Sequence, residues 1–82
     1  MRWEPGNRLI LPSPDSTGSQ VLHEVGLLPH ADQLRLLEWL ERSNGRSRVV
    51  CTSSGSLFEL VQAGQFVEKL FYRLNTVTQV IR

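Results

Sequence analysis

Gln20-Val21-Leu22-His23-Glu24-Val25-Gly26-Leu27-Leu28-Pro29 opens the part of the chain that decides the fold. Val21-Leu22 is a short apolar run, Pro29 opens a helix, and Arg48-Val49-Val50-Cys51-Thr52 beyond that helix is apolar and β-branched. Strand, helix, strand in this order reads as a βαβ unit, because parallel strands need a crossover of a dozen or more residues, usually a helix. The helix, about Pro29 to Ser43, carries Gln33, Leu36, Leu37 and Leu40 at i, i+3, i+4 and i+7, which is one face of a 3.6-residue period. Asp32, Arg35, Glu38 and Arg42 occupy the other side, where i,i+3 and i,i+4 charge pairs contribute roughly 0.2–0.5 kcal/mol each. Proline at the first position and Asn44-Gly45 after the last turn supply the start and stop chemistry.

Working outward toward the C-terminus, Ser56-Leu57-Phe58-Glu59 has the spacing of a capping box and starts a short helix that runs to Ala63 and ends at Gly64. Val67, Leu70, Phe71 and Leu74 then repeat the helical stripe, with Glu68, Lys69, Tyr72 and Arg73 toward the other side. Thr76-Val77-Thr78-Gln79-Val80-Ile81 is rich in β-branched residues and reads as a final strand. Toward the N-terminus, Pro5, Gly6, Pro12, Pro14 and Gly18 break the chain so often that only Leu9-Ile10-Leu11 can be extended. Residues 1–19 therefore read as a loosely held extended arm, and residues 20–82 as the α/β domain.

Eighty-two residues suffice for one small domain. Nine basic and eight acidic side chains are scattered evenly, giving a net charge of +1, so no basic stripe exists to follow a phosphate backbone. Direct nucleic-acid binding is disfavoured. Cys51 is the single cysteine, which excludes an intramolecular disulfide. The opening Met1-Arg2-Trp3-Glu4-Pro5-Gly6 lacks the apolar segment of a signal peptide, and no apolar run approaches the ~18 residues of a membrane span. The expectation is a cytoplasmic protein with no internal repeat.

From Gly18 to Arg82 the sequence resembles the central part of the ATPase domain of bacterial sigma-54-dependent transcription activators, a branch of the AAA+ ATPases. Val21-Leu22-His23-Glu24-Val25-Gly26-Leu27-Leu28-Pro29 is similar to the family's Walker B segment, a strand ending in an Asp-Glu pair followed by Val/Ile-Gly-x-Leu-Pro. Gln33-Leu34-Arg35-Leu36-Leu37 matches the Gln-x-x-Leu-Leu helix, and Val49 through Leu57 the sensor strand and its sequel. Gly64 through Asn75 matches the arginine-bearing helix of the form Gly-x-Phe-Arg-x-Asp-Leu-Tyr-Tyr-Arg-Leu-Asn. The resemblance implies a partial AAA+ P-loop NTPase-like core: a small parallel-type sheet with packing helices, lacking the P-loop strand.

The departures fall on the chemistry. The metal-side Asp of the family motif is His23 here, a nitrogen ligand ill suited to magnesium, which prefers hard oxygen ligands in octahedral geometry. Glu24 stands where the family has the carboxylate that orients the attacking water, and Ser54 where it has the sensor Asn. Of the two arginines that enter a neighbouring subunit's nucleotide site, the first position is Val67 and only Arg73 remains. No Gly-x-x-x-x-Gly-Lys-Ser/Thr occurs, and neither does the Gly-Ala-Phe-Thr-Gly-Ala loop that contacts the sigma factor. Glu24 and Arg73 are thus remnant catalytic positions, and His23, Glu24 and Ser54 remnant nucleotide-side positions. The expectation is a protein that is not an enzyme and that uses no metal and no cofactor.

Other readings of the same residues are milder. Adjacent strand residues point to opposite faces, which argues against His23 and Glu24 as one metal or general-base pair. Cys51 in an apolar strand reads as a small core residue, His30 as a solvated helix start, and Arg73 as a surface or interfacial arginine. Trp39, Tyr72 and Phe58 mark either an interaction surface or partly buried core. Without a phosphate-loop strand, the sensor strand and the last strand must pair directly or borrow a strand. Leu9-Ile10-Leu11 is the spare candidate, and with about eight residues before the next strand it would have to join antiparallel. An exposed edge would otherwise invite a homodimer.

Two functions follow as expectations. One is a non-catalytic fragment acting through protein contacts, with itself or with intact AAA+ activator subunits. The other is a residual ATP-binding module, or a piece of a longer transcription regulator whose preceding part supplies the phosphate loop.

Overall fold

A computed structural model describes residues 2–15, 17–43, 46–77 and 79–81. Four strands, β1 (Arg2–Trp3), β2 (Ser19–Leu22), β3 (Arg48–Thr52) and β4 (Gln79–Ile81), form one sheet in the order β1-β2-β3-β4. Every neighbouring pair is parallel. Between β2 and β3 run a 3-10 turn (Val25–Leu27) and α1 (His30–Ser43); between β3 and β4 run α2 (Leu57–Gln62) and α3 (Glu68–Val77). The class is α/β with a small parallel sheet and packing helices. The sensor-type strand β3 pairs directly with β4, one of the two arrangements expected of a sheet without a phosphate-loop strand.

The first strand corrects the sequence reading. Leu9-Ile10-Leu11 does not join the sheet; Arg2–Trp3 does, and it pairs parallel rather than antiparallel. The physical reason is crossover length, because a strand ending at Trp3 leaves residues 4–18 to return along the sheet, enough for a parallel connection. The N–H of His23 donates to Trp3 O at 2.8 Å and extends the pairing by one residue. The N-terminal segment is also tied down more firmly than its breakers suggest. Trp3 and Leu9 are core residues. Trp39 Nε1 donates to Pro12 O at 2.8 Å, and Arg35 Nη1 to Leu9 O at 3.2 Å.

The C-terminal boundary also moves. Thr76 and Val77, read as strand, continue α3, and the strand begins only at Gln79; Thr78 lies outside the described residues. Burial of Leu70 and Leu74 in the core anchors the helix, and β-propensity is a preference that such packing overrides. Asn44 and Gly45, read as the stop of α1, also lie outside the described residues. The start of α1 is as expected, with Pro29 O accepting the N–H of Gln33 at 2.9 Å. The capping box is half realised, in that Ser56 Oγ accepts the N–H of Glu59 at 3.4 Å.

Residues in register share a face of the sheet, so Trp3, Leu22 and Cys51 form one buried row, with Gln20 and Val49 one row earlier. Leu36 and Leu40 of α1 and Leu70 and Leu74 of α3 close over that face. The outer side of α1 carries the expected ion pairs, Arg35–Asp32 at 3.2 Å and Arg42–Glu38 at 2.9 Å. Both pairs are exposed and contribute little to stability. Among the described residues no helix is long and apolar enough to cross a membrane.

Candidate functional site at the carboxyl ends of β2 and β3

The chain leaves β2 at Leu22 and must turn at once into the 3-10 segment that begins at Val25. Glu24 absorbs the turn with φ 53 and ψ 53, a left-handed conformation that costs a non-glycine residue about 1–2 kcal/mol. Its backbone N–H donates to Thr52 Oγ1 at 3.1 Å, fastening it to the end of β3. Its carboxylate is held from the same strand end, since Glu24 Oε2 accepts the Ser54 hydroxyl at 2.8 Å and the Ser54 N–H at 3.3 Å. His23 Nδ1 lies 3.4 Å from Thr52 Oγ1, so one threonine hydroxyl links His23, Glu24 and the sensor-type strand.

Beside this cluster is a cavity of about 410 Å³, lined by Glu24, Leu27, Ser54, Glu59 and Leu60 with Gly26 at its back. Leu60 closes on Gly26 so tightly that a Cβ added to the glycine would stand 2.7 Å from Leu60 Cδ1. Among the described residues lining the cavity there are two carboxylates and no cationic side chain. A phosphate placed there would meet like charge, whereas phosphate sites supply backbone amides, lysine or arginine. Among the described residues no three His, Cys, Asp or Glu side chains gather as metal ligands.

The remnant positions do not all meet. Glu24, Ser54 and, through Thr52, His23 are brought together, whereas Arg73 lines a different groove of about 290 Å³ between α1 and α3, with Leu37, Glu41, Lys69 and Tyr72. Its Nε is buried and makes no hydrogen bond among the described residues. Cys51 is fully buried, and burial pushes its thiol up to about 12, which removes it as a nucleophile. His30 is exposed at the start of α1. The three aromatic residues split: Trp39 is core, while Phe58 and Tyr72 are exposed on either side of Phe71, with ring centroids 6.0 and 5.5 Å apart.

Two residues essential to the geometry carried no site signal in the sequence. Thr52 looked like a β-branched strand end, and only its place on β3 one residue past Cys51, the register partner of Leu22, brings its hydroxyl to His23 and Glu24 and makes it an anchor. Gln33 looked like a member of an apolar stripe. It is buried and serves as a polar clamp, with Nε2 donating to Leu28 O at 2.8 Å and to Gln65 O at 3.2 Å, and Oε1 accepting the Val67 N–H at 2.7 Å. A glutamine in the middle of a leucine stripe was the available hint.

The family model described as "Sigma-54 interaction domain" matches residues 10–81, a span that includes every element except β1. The HTH-type transcriptional regulatory protein TyrR of Enterobacter agglomerans is 40% identical over 72 residues, covering 74% of this chain and 14% of TyrR. TyrR of Salmonella typhimurium is 38% identical over 72 residues with the same coverage. The DNA-binding transcriptional regulator NtrC of a Bradyrhizobium strain is 38% identical over 71 residues, covering 73% of this chain and 15% of NtrC. The chain therefore spans only 14–15% of the length of these relatives. No solved structure matches it.

Proposed function

The chain belongs to the sigma-54 interaction domain family, and on that premise we propose that it is a non-catalytic member that acts through protein contacts, docking onto intact activator subunits and altering their assembly. The setting is transcription regulation in the bacterial cytoplasm.

The observation that carries this reading is the state of Glu24. A carboxylate that orients a hydrolytic water needs a phosphate and its metal in front of it. Glu24 accepts two hydrogen bonds from Ser54 and faces a cavity whose other charged group is Glu59, a second carboxylate that would repel such a phosphate. His23 at the metal-side position faces Thr52. Sheet topology points the same way, since ligands of open α/β sheets sit where the strand order reverses, and the order β1-β2-β3-β4 contains no reversal. For protein contact the chain offers exposed aromatic residues, Phe58 and Tyr72, the residue types enriched at interfaces. Size-exclusion chromatography and pull-down with an intact activator ATPase domain test the proposal. A co-eluting complex is the expected result, and its absence over a range of salt and protein concentrations removes the reading.

A second reading, an ATP-binding module without hydrolysis, has in its favour the volume of the cavity beside Glu24, 410 Å³ and within the range of small-ligand sites, and against it the two carboxylates of that lining. Titration with a fluorescent ATP analogue decides it. Affinity weaker than about 1 mM leaves the protein-contact reading alone.

A further inference from the structure

We infer that the uncovered face of the sheet docks an acidic amphipathic helix of a separate protein. The inference rests on the protein-contact reading above and adds a contact face distinct from the one that carries Phe58 and Tyr72. Strand order equals chain order, and right-handed crossovers that always step in the same direction deposit every connection on the same face. Leu9 and Pro12 of the N-terminal segment, α1 and α3 accordingly lie on the side of Trp3, Leu22 and Cys51. The opposite face carries Arg2, Val21 and Val50 in one register row, with Arg48 one row earlier on β3. Among the described residues, Val21 and Val50 belong neither to the core nor to the apolar shell packed against it. Parallel sheets normally have both faces covered by helices.

The composition of the face selects its occupant. Val21 and Val50 form a β-branched apolar strip in the two central strands, the surface against which helices pack in α/β folds. Arg2 and Arg48 flank it and are exposed. Arg2 has one distant partner, Glu4 at 3.9 Å, and Arg48 makes no ion pair among the described residues. A helix with apolar residues at i, i+3 or i+4 and i+7, and with carboxylates on its flanks, matches both features. The five residues of β3 give the face a length of about 17 Å, or roughly three helical turns. A second copy meeting this face with its own would bring arginines against arginines, so self-association through it is disfavoured.

Nuclear magnetic resonance titration of the full chain with two synthetic helical peptides of about four turns, identical except for glutamate or lysine flanks, tests the inference. The glutamate peptide is expected to shift the amides of Val21, Arg48 and Val50 and to bind at least tenfold more tightly than its lysine twin. Arg2→Glu with Arg48→Glu should reverse that preference, and because both side chains are exposed the fold is retained, as the core methyl resonances will report. Equal binding of the two peptides, no binding of either, shifts confined to α1–α3, or a sedimenting dimer that occupies the face would each overturn it. If the complex with intact activator subunits forms in those cases, only the docking face is wrong; if that complex fails while the glutamate peptide binds as stated, the choice of partner is wrong.

Discussion

Gln33 Oε1 accepts the backbone N–H of Val67 at 2.7 Å, joining residues 34 positions apart at the point where the first turn of α1 meets the entry to α3. The same side chain donates to Leu28 O and Gln65 O, so one buried amide satisfies three backbone groups, one before α1 and two in the connection between α2 and α3. Replacing one partner of a buried hydrogen bond costs more than the bond itself, because the remaining group is left desolvated.

Gln33→Leu is therefore expected to destabilise the protein by about 3 kcal/mol, despite filling a leucine-lined position with leucine. Gln33→Glu should be at least as damaging, since it keeps the acceptor for Val67 N–H but sets a carboxylate against two carbonyl oxygens. Urea denaturation followed by circular dichroism measures both. A cost below about 1 kcal/mol for the leucine variant would show that the clamp is dispensable.

Substitutions at Glu24 separate backbone strain from side-chain bonding. Glu24→Gly removes the left-handed penalty along with the carboxylate, whereas Glu24→Ala removes the carboxylate and keeps the penalty. The glycine variant should be more stable than the alanine variant by about 1 kcal/mol, read as a difference in denaturation midpoint. Equal stabilities would mean that the turn relaxes when its side chain is lost.

Gly26→Ala tests the contact with Leu60. The new methyl would sit 2.7 Å from Leu60 Cδ1 and 3.2 Å from Leu57 Cδ2, and Leu60 is only half-buried, so its flexible end can move. A cost of about 1 kcal/mol is expected, and Leu60→Ala in the same chain should reduce the further loss caused by Gly26→Ala. Additivity of the two in a double-mutant cycle would contradict the contact.

The Cys51 thiol, pushed from 9.0 to about 12 by burial, stays protonated in the native state while the unfolded thiol ionises normally. The folded state then binds more protons than the unfolded state above pH 9, so this contribution to stability is intact below that pH and declines as pH rises toward 12. Cys51→Ser should flatten that part of the stability profile. In the native wild type at pH 8, alkylation by iodoacetamide should proceed only at the rate of global or local opening.

The elements that could be read in the sequence are those whose pattern repeats. Leu36, Leu40, Leu70 and Leu74 announce two helices because four positions at helical spacing agree, and each is buried as the stripe requires. Arg2–Trp3 could not be read, because two residues have no period; Trp3 is buried by its row partners Leu22 and Cys51, which are remote in sequence. Thr76 and Val77 misled for the opposite reason, a β-branched pair captured by a helix already anchored at Leu70 and Leu74. At the candidate site, the residue types of His23, Glu24, Ser54 and Arg73 were visible through the family resemblance. Their arrangement was not. Glutamate is not a residue that advertises a left-handed turn, and no spacing rule sends Arg73 to a groove apart from Glu24.

The sheet in which strand order equals chain order has a consequence for the way the molecule comes into being. When β2 leaves the ribosome its template β1 has already been made, and the same holds for β3 on β2 and for β4 on β3. No strand has to wait for a later one to provide its neighbour, as the central strand of a doubly wound sheet must. Assembly can proceed vectorially with synthesis, each crossover closing over a platform that is already laid down. A nascent chain halted after β3 would hold a nested three-stranded version of the final sheet, and proteolysis of stalled ribosome complexes should reveal protection growing in steps from the N-terminus.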